Sequence, residues 1–220
     1  MKDKVALFYN PVAGGGNFRY KLDDVIDCLQ NSGLEVIPWR INNNEQIRKQ
    51  IKKIDPEACH TIIAAGGDGT IHGVANAMMH NNLNIPLAIF PVGTSNDIAR
   101  QMKIPGKIKE YCQIITEGKL TGIDLGKVGD EYFINVAAAG FLTDTAHEVN
   151  YSLKNALGKA AYYLKVLEKL PQLKPLHLRV KVDDNAYDME ILLFLVLNGT
   201  STAGFKELLP EGAMSDGLLD

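Results

Sequence analysis

Three stretches of this chain combine glycine with residues that can handle phosphate: "NPVAGGG" at 10–16, "GGDGT" at 66–70 and "PVGTSNDIAR" at 91–100. Glycine permits φ above zero and lets backbone N–H groups come close to a ligand. Such donors gathered at a helix start suit an anion, phosphate above all. One acid, Asp68, stands inside the second stretch. A carboxylate beside phosphate oxygens repels them unless a cation lies between, the part Mg²⁺ takes in nucleotide sites. Thr70 offers a hydroxyl and a cap for the helix behind it. The third stretch adds Thr94, Asn96, Asp97 and Arg100. Asn96 or Asp97 is expected to cap the helix opening there. Arg100 is expected to reach Asp68, Asp97 or a phosphate. For a single loop, a tight strand-to-helix turn capped by its acid would explain the residues about as well. Three loops on one sheet edge favour a nucleotide.

Neither common nucleotide signature is present. "VAGGGNF" lacks the lysine of a Walker A loop, and "GGDGTIHG" does not fit G-x-G-x-x-G.

The elements that must position these loops follow from periodicity. "KVALFY", "LEVIPW", "HTIIAA" and "PLAIFPVG" read as strands. Leu22, Val25, Ile26 and Leu29 mark one helix, and Ile47, Ile51 and Ile54 a second. Val74 to Met79 continue the glycine knot as a third, and "SNDIARQM" opens a fourth. Strands alternating with helices predict a parallel sheet with helices on both faces. Ligands of such sheets bind outside the carboxyl ends of the strands, where all three loops fall.

Beyond about residue 122 the pattern changes. "DLGKVGDEYFINVAAAG" reads as a hairpin around a Gly-Asp turn, and Leu153, Leu157, Ala160, Leu164 and Leu167 as one amphipathic helix. "LHLRVKV" and "MEILLFLVLNG" read as two strands joined by "DDNA". The expected architecture is an α/β domain over 1–121 and a mainly antiparallel β domain over 122–220.

Composition sets outer bounds. The chain has 220 residues, 46% hydrophobic and 22% charged, with a net charge of -3. That is ordinary globular composition without the basic field that draws nucleic acid. The longest apolar run, Ile191 to Leu197, is too short to span a bilayer. The N-terminus lacks a signal-peptide pattern. Cys28, Cys59 and Cys112 lack metal-ligand spacing and read as reduced thiols, so a cytoplasmic location is expected. Between 151 and 181, seven Lys and Arg residues face Glu168 alone. This basic segment could dock on anionic lipid in a transient peripheral contact or be a solvated face. The histidines and Trp39 are read as packing or surface residues, with His72 close enough to the knot to touch a ligand. The sequence leaves the oligomeric state open, a homodimer included.

The chain resembles the diacylglycerol kinase catalytic-domain family, in its soluble bacterial form. The resemblance rests on "YNPVAGG" at 9–15, "AAGGDGTIH" at 64–72 and "FPVGTSNDIAR" at 90–100, with "GKLTGIDLGKV", "YFINVAAAGF" and "TAGFKELLPEGAMSDGLLD" following in family order. It implies ATP-dependent phosphorylation of a lipid hydroxyl with Mg²⁺, diacylglycerol being the favoured lipid. It places the nucleotide on Asn10, Pro11, Val12, Ala13 and Gly14, on Gly66, Gly67, Asp68, Gly69, Thr70, Ile71, His72 and Gly73, and on Thr94 and Asn96. Asp68 would act through the Mg²⁺–phosphate network, with Asp97, Arg100 and Asp124 as polar supports. A structural Mg²⁺ would take the Asp216 side chain and the carbonyls of Ala213 and Leu218.

The sequence departs from the family pattern in several places. Gly73 stands where a glutamate is common, Gly15 where relatives often carry lysine, and Ile41 where a nucleotide-contacting threonine is expected. Family members also continue past "DGLLD" to an Asp-Gly-Glu segment bearing the acid taken as general base. Residues 1–220 do not include it, so the chain is expected to be a fragment or to use another proton acceptor. Two other readings stay open: an NAD kinase-like enzyme, which shares the GGDGT loop, and a non-catalytic nucleotide- or lipid-binding protein.

Overall fold

The structure, a computed structural model, describes residues 3–118, 120–140, 175–200, 209 and 213–220. By compactness the chain divides into one unit of Met1–Asn135 with Leu197–Asp220 and another of Val136–Val196.

In the first unit, β1 (Lys4–Tyr9), β2 (Glu35–Arg40), β3 (Cys59–Gly66) and β4 (Leu87–Pro91) form a parallel sheet in the order β2-β1-β3-β4. The two central strands are buried on both faces, which is why they read as near-continuous apolar runs. Alternate residues serve opposite cores. Val5, Leu7, Ile63, Ala65 and Phe90 pack with α1 (Leu22–Gln30) and α5 (Ile108–Glu117). Ala6, Phe8, Ile62, Ala64 and Ile89 pack with α2 (Asn44–Ile51) and α3 (Asp68–His80). A one-residue slip of either central strand would exchange the two sets.

Local chemistry sets the helix starts. Asn43 accepts the Gln46 N–H at 2.9 Å, and Gln46 Oε1 accepts the Asn42 N–H at 2.7 Å. This reciprocal capping opens α2. The third helix begins six residues earlier than its apolar spacing suggests, inside the glycine knot: the Thr70 and Ile71 N–H groups both donate to Gly67 O. α4 (Asp97–Gln101) is a short helix after β4. The fifth helix, α5, was not expected, although Ile108, Tyr111, Cys112 and Ile115 have helical spacing behind Pro105-Gly106.

The expected hairpin forms as β5 (Gly126–Val128) and β6 (Glu131–Phe133), antiparallel around Gly129-Asp130. Its second strand stops early, however. β7 (Val136–Gly140) follows in the second unit, because Ile134 and Asn135 are buried in the first. In the second unit, β8 (Leu176–Val182) and β9 (Asn185–Ile191) form an antiparallel hairpin, and β10 (Leu193–Leu197) pairs with β7. "MEILLFLVLNG" is thus two strands, broken at Leu192. A Cβ on Gly140 (φ 111°) would overlap Leu192 O, so the chain passes tightly there. The helix expected over 153–167 lies outside the described residues. The α/β domain with a parallel sheet followed by antiparallel strands is the expected fold class.

Candidate active site

The three glycine loops leave the carboxyl ends of β1, β3 and β4 and meet backbone to backbone. In the first, Asn10 donates its N–H to Ala65 O at 3.0 Å and its Oδ1 accepts the Val12 N–H at 3.0 Å. The chain then turns through Gly14, Gly15 and Gly16, at φ 56°, 78° and 79°. An L side chain is disfavoured in that region, so the three glycines are required for this path. A Cβ on Gly14 would overlap Val92 O, which seats this loop on the exit of β4. Phe18, fully buried, anchors it from below. Its ring lies 5.1 Å from Phe90, which lies 4.6 Å from Tyr111, both edge-on.

The second and third loops also touch. A Cβ on Gly93 would overlap Gly67 Cα, and the Val92 N–H donates to Gly66 O at 3.1 Å. Beyond this contact the site is open: a Cβ on Gly15 or on Gly69 would meet nothing within 4 Å. A cradle of glycine backbone, free of side chains and next to the start of α3, fits a phosphate chain.

Asp68 is the first residue of α3, and its Oδ1 accepts the Ile98 N–H at 3.2 Å. The acid of the knot therefore caps the neighbouring helix, α4. Asn96 and Asp97 do not cap it as expected. Asn96 sits at φ 51°, and its amide turns back to Gly93, accepting the N–H at 2.7 Å and donating to the carbonyl at 2.9 Å. Asp97 is 3% exposed and accepts from Arg100 at 3.1 Å. The Arg100 guanidinium also donates to Ser95 O. Burial raises the Asp68 carboxyl above its ordinary 3.8, and the nearby Asp97 charge adds to the shift, while the Ile98 N–H opposes it. Two carboxylates, one partly desolvated, beside an anion cradle fit a hard cation such as Mg²⁺. Among the described residues no group of three His, Cys, Asp or Glu side chains is placed to hold a metal ion.

The remaining expected site residues divide. Pro11, Val12, Ala13 and Thr94 lie on the loops, Val12 and Thr94 exposed. Thr70 is not a cap. It is buried inside the first turn of α3, against Gly66, where a Cβ would overlap its side chain. Ile71 is fully buried in the core on the α2 side of the sheet. A Cβ on Gly73 would point at Asn44 and Ile47. Neither side-chain position faces the glycine cradle. Ile41 is likewise core, 2% exposed. His72 is half-buried and its imidazole is held below 6.5 by burial, an effect the Glu131 charge opposes.

Asp124 joins a second cluster, the turn at 213–218. It donates its N–H to Met214 O and accepts the Gly217 N–H at Oδ2, both at 2.7 Å. In the same turn Asp216 accepts the N–H groups of Ala213 and Leu218, each at 3.0 Å. These bonds hold its carboxyl below 3.8. The three residues expected around a structural Mg²⁺ are therefore together, with Ala213 and Leu218 presenting N–H groups to Asp216.

Four polar residues went unnoticed in the sequence. Asn76 exchanges hydrogen bonds with the Tyr132 N–H and carbonyl, both at 2.7 Å, and fixes β6 to α3. Gln101, Asn135 and Asn198 form a junction between α4 and the C-terminal segment. Their only signal was an asparagine or glutamine within an apolar run.

Comparisons with known proteins agree with this arrangement. Residues 4–128 match the diacylglycerol kinase catalytic domain, and residues 135–220 match the YegS C-terminal NAD kinase beta sandwich-like domain. The chain is 36% identical over 217 residues to the diacylglycerol kinase of Staphylococcus aureus (strain MRSA252), covering 99% of this chain and 69% of that one. It is also 36% identical to the enzyme of that name from Staphylococcus saprophyticus, covering 71% of it. A crystal structure of a diacylglycerol kinase from Bacillus anthracis str. Sterne superposes with a TM-score of 0.78 at 26% identity, over 99% of this chain and 71% of that one. With the loops, the parallel sheet and these matches in agreement, the chain belongs to the diacylglycerol kinase catalytic-domain family.

Proposed function

We propose that this chain is the catalytic part of an ATP-dependent lipid kinase that converts diacylglycerol to phosphatidic acid. The observation that carries the reading is the convergence of Gly14–Gly16, Gly67–Asp68 and Gly93 at the carboxyl ends of three parallel strands. Residues 1–121 would hold the nucleotide and residues 122–220 the lipid. The backbone of the three loops would bind the phosphates, with Asn10 and Asn96 keeping two of the loops in shape through their own backbone bonds.

In the reaction the lipid hydroxyl oxygen forms a bond to the γ-phosphorus as the β–γ bridging P–O bond breaks. ADP leaves, and the hydroxyl proton passes to solvent or to a carboxylate acting as base. Such a transfer needs positioning and charge stabilisation more than covalent chemistry. Mg²⁺, when bound, supplies neutralisation of the phosphate charge. Asp68 would hold the ion, with Asp97 beside it. Arg100, paired to Asp97, keeps that carboxylate oriented. Among the described residues no helix is long and apolar enough to cross a membrane, so the lipid would be met at a surface. Most of the basic segment, residues 151–174, lies outside the described residues.

The test is transfer of radiolabelled γ-phosphate from ATP by the purified chain, with diacylglycerol in mixed micelles, a sphingoid base or NAD as acceptor. Labelled phosphatidic acid supports the proposal. Labelling of NAD alone would replace it with the NAD kinase-like reading. ATP binding without transfer to any acceptor would leave a binding protein.

A further inference from the structure

A helix of five residues such as α4 cannot hold itself in water, so outside groups must fix it. At its N-terminal end that group is Asp68. At its C-terminal end the structure offers Gln101. The Gln101 amide donates from Nε2 to Asn135 Oδ1 at 2.9 Å, and its Oε1 accepts the Thr200 N–H at 3.0 Å. Both partners are distant in sequence, and both belong to the same compact unit as α4. From Asn135 the chain of bonds continues. Asn135 O accepts the Asn198 N–H at 2.8 Å, and Asn198 Nδ2 donates to Asp124 O and Ile134 O, each at 2.7 Å. Asp124 then holds the 213–218 turn through Met214 and Gly217.

Two details show that this junction is built for geometry. Gly199 has φ 95°, and a Cβ there would overlap Gln101 Oε1 and come within 3.1 Å of Met214. The backbone has made room for the glutamine head group. Asn198 is fully buried, yet its Oδ1 has no hydrogen-bond partner among the described residues. A buried acceptor left unsatisfied is unfavourable, and an apolar residue of similar shape would avoid that penalty. The asparagine spends both amide hydrogens on tying Asp124 and Ile134 together.

We infer that Gln101 is a positioning residue for phosphoryl transfer: it aligns Asp97 and Arg100 on α4 with Asp124 and the 213–218 turn. The inference rests on the lipid-kinase reading for its consequence and on the hydrogen bonds alone for its mechanical part. Gln101 adjoins Arg100 in sequence, so a shift of this end moves the Asp97–Arg100 pair directly. The glycine cradle is held separately, by the Gly14–Val92 and Gly67–Gly93 contacts. Losing the clamp should therefore slow the transfer and leave nucleotide binding in place.

The experiment compares Gln101→Met, Gln101→Glu and Gly199→Ala with the parent chain. Methionine keeps the length and loses both bonds. Glutamate keeps the acceptor for Thr200, and the Asn135 amide can turn to donate to it. Gln101→Met and Gly199→Ala should each lower kcat about tenfold, as displaced catalytic groups do, with KM for ATP within about twofold. Gln101→Glu should recover most of kcat. Hydrogen exchange of the amides at 98–101 should quicken in Gln101→Met while those of β1 and β3 stay protected. A fall in Tm with kcat unchanged would overturn the inference and leave a structural residue, as would unchanged exchange in α4. If the parent chain transfers no phosphate, the lipid-kinase reading fails. The exchange experiment then decides the mechanical part alone.

Discussion

Asp68 and Asp216 both stand beside glycine in turns of the same compact unit, yet their surroundings push their carboxyls in opposite directions. Asp68 lies against the glycine loops, partly desolvated and near Asp97, and its proton is held more tightly than usual. Asp216 is exposed, takes one N–H on each oxygen, and gives up its proton more readily. The first arrangement works against the ionised fold; the second supports it. A protein keeps a desolvated acid next to a second acid only where something else benefits, which is the mark of a site rather than of a turn. Asp216 fits the demands of its own turn, and a cation there would share a carboxylate that is already well supplied.

The largest test of this contrast is activity. Asp68→Ala should lower kcat/KM for lipid phosphorylation by a factor on the order of 10²–10³, since it removes both the charge and the cap of α4. An unchanged value would remove Asp68 from the site. Next comes the cradle. Gly93→Ala drives a methyl group into Gly67 Cα and should raise the KM for ATP about tenfold or more, the effect of misplaced binding groups. Equilibrium titration with a fluorescent ATP analogue measures it. Third, Asp68→Asn keeps the acceptor for Ile98 and removes the desolvated charge. It should slow transfer no more than Asp68→Ala does, yet raise Tm at pH 7, because burial disfavours the charge that it removes. The sign follows from linkage: a raised carboxyl contributes stability below pH 3.8 that is lost as pH rises through its folded pKa. The gain in Asp68→Asn should therefore shrink as pH falls toward 3.8. The smallest effect belongs to Asp216→Ala. A lowered carboxyl contributes stability above pH 3.8 and loses it as pH falls through its folded pKa. The variant should show a slight fall in Tm at pH 7 that fades in acid, the reverse of Asp68→Asn. Equal slopes for the two aspartates in melting curves across pH would end the contrast.

Much of the first unit was legible because its signals are local. Each of the four parallel strands is a short apolar run, and each glycine loop follows one of them. The Asp68 loop could be placed at a strand end without knowing its neighbours. What it bonds could not, since Ile98 lies 30 residues on. The same limit hid the junction: Gln101 meets Thr200 across 99 residues, and Asn76 meets Tyr132 across 56. An asparagine in an apolar run looks like a turn residue until its distant partner is known. Strand breaks were hidden for another reason. Ile191 to Leu197 is uniformly apolar, so nothing in composition marks Leu192 as the point where one strand ends and another begins. Tertiary placement decides that break, as it decides the parting of β6 from β7 at Asn135.

The return of residues 197–220 to the first unit has a consequence for how the chain is made. The parallel sheet and its helices are complete by Glu117, well before the segment that closes the Asn135–Asn198 junction leaves the ribosome. During synthesis the sheet can form while α4 still lacks its second clamp and Asn135 its partner. The 61 residues from Val136 to Val196 must pass first. The nascent chain therefore spends an interval with its glycine cradle built and its polar junction open, a species to which a folding factor or a nucleotide could bind before the fold is closed.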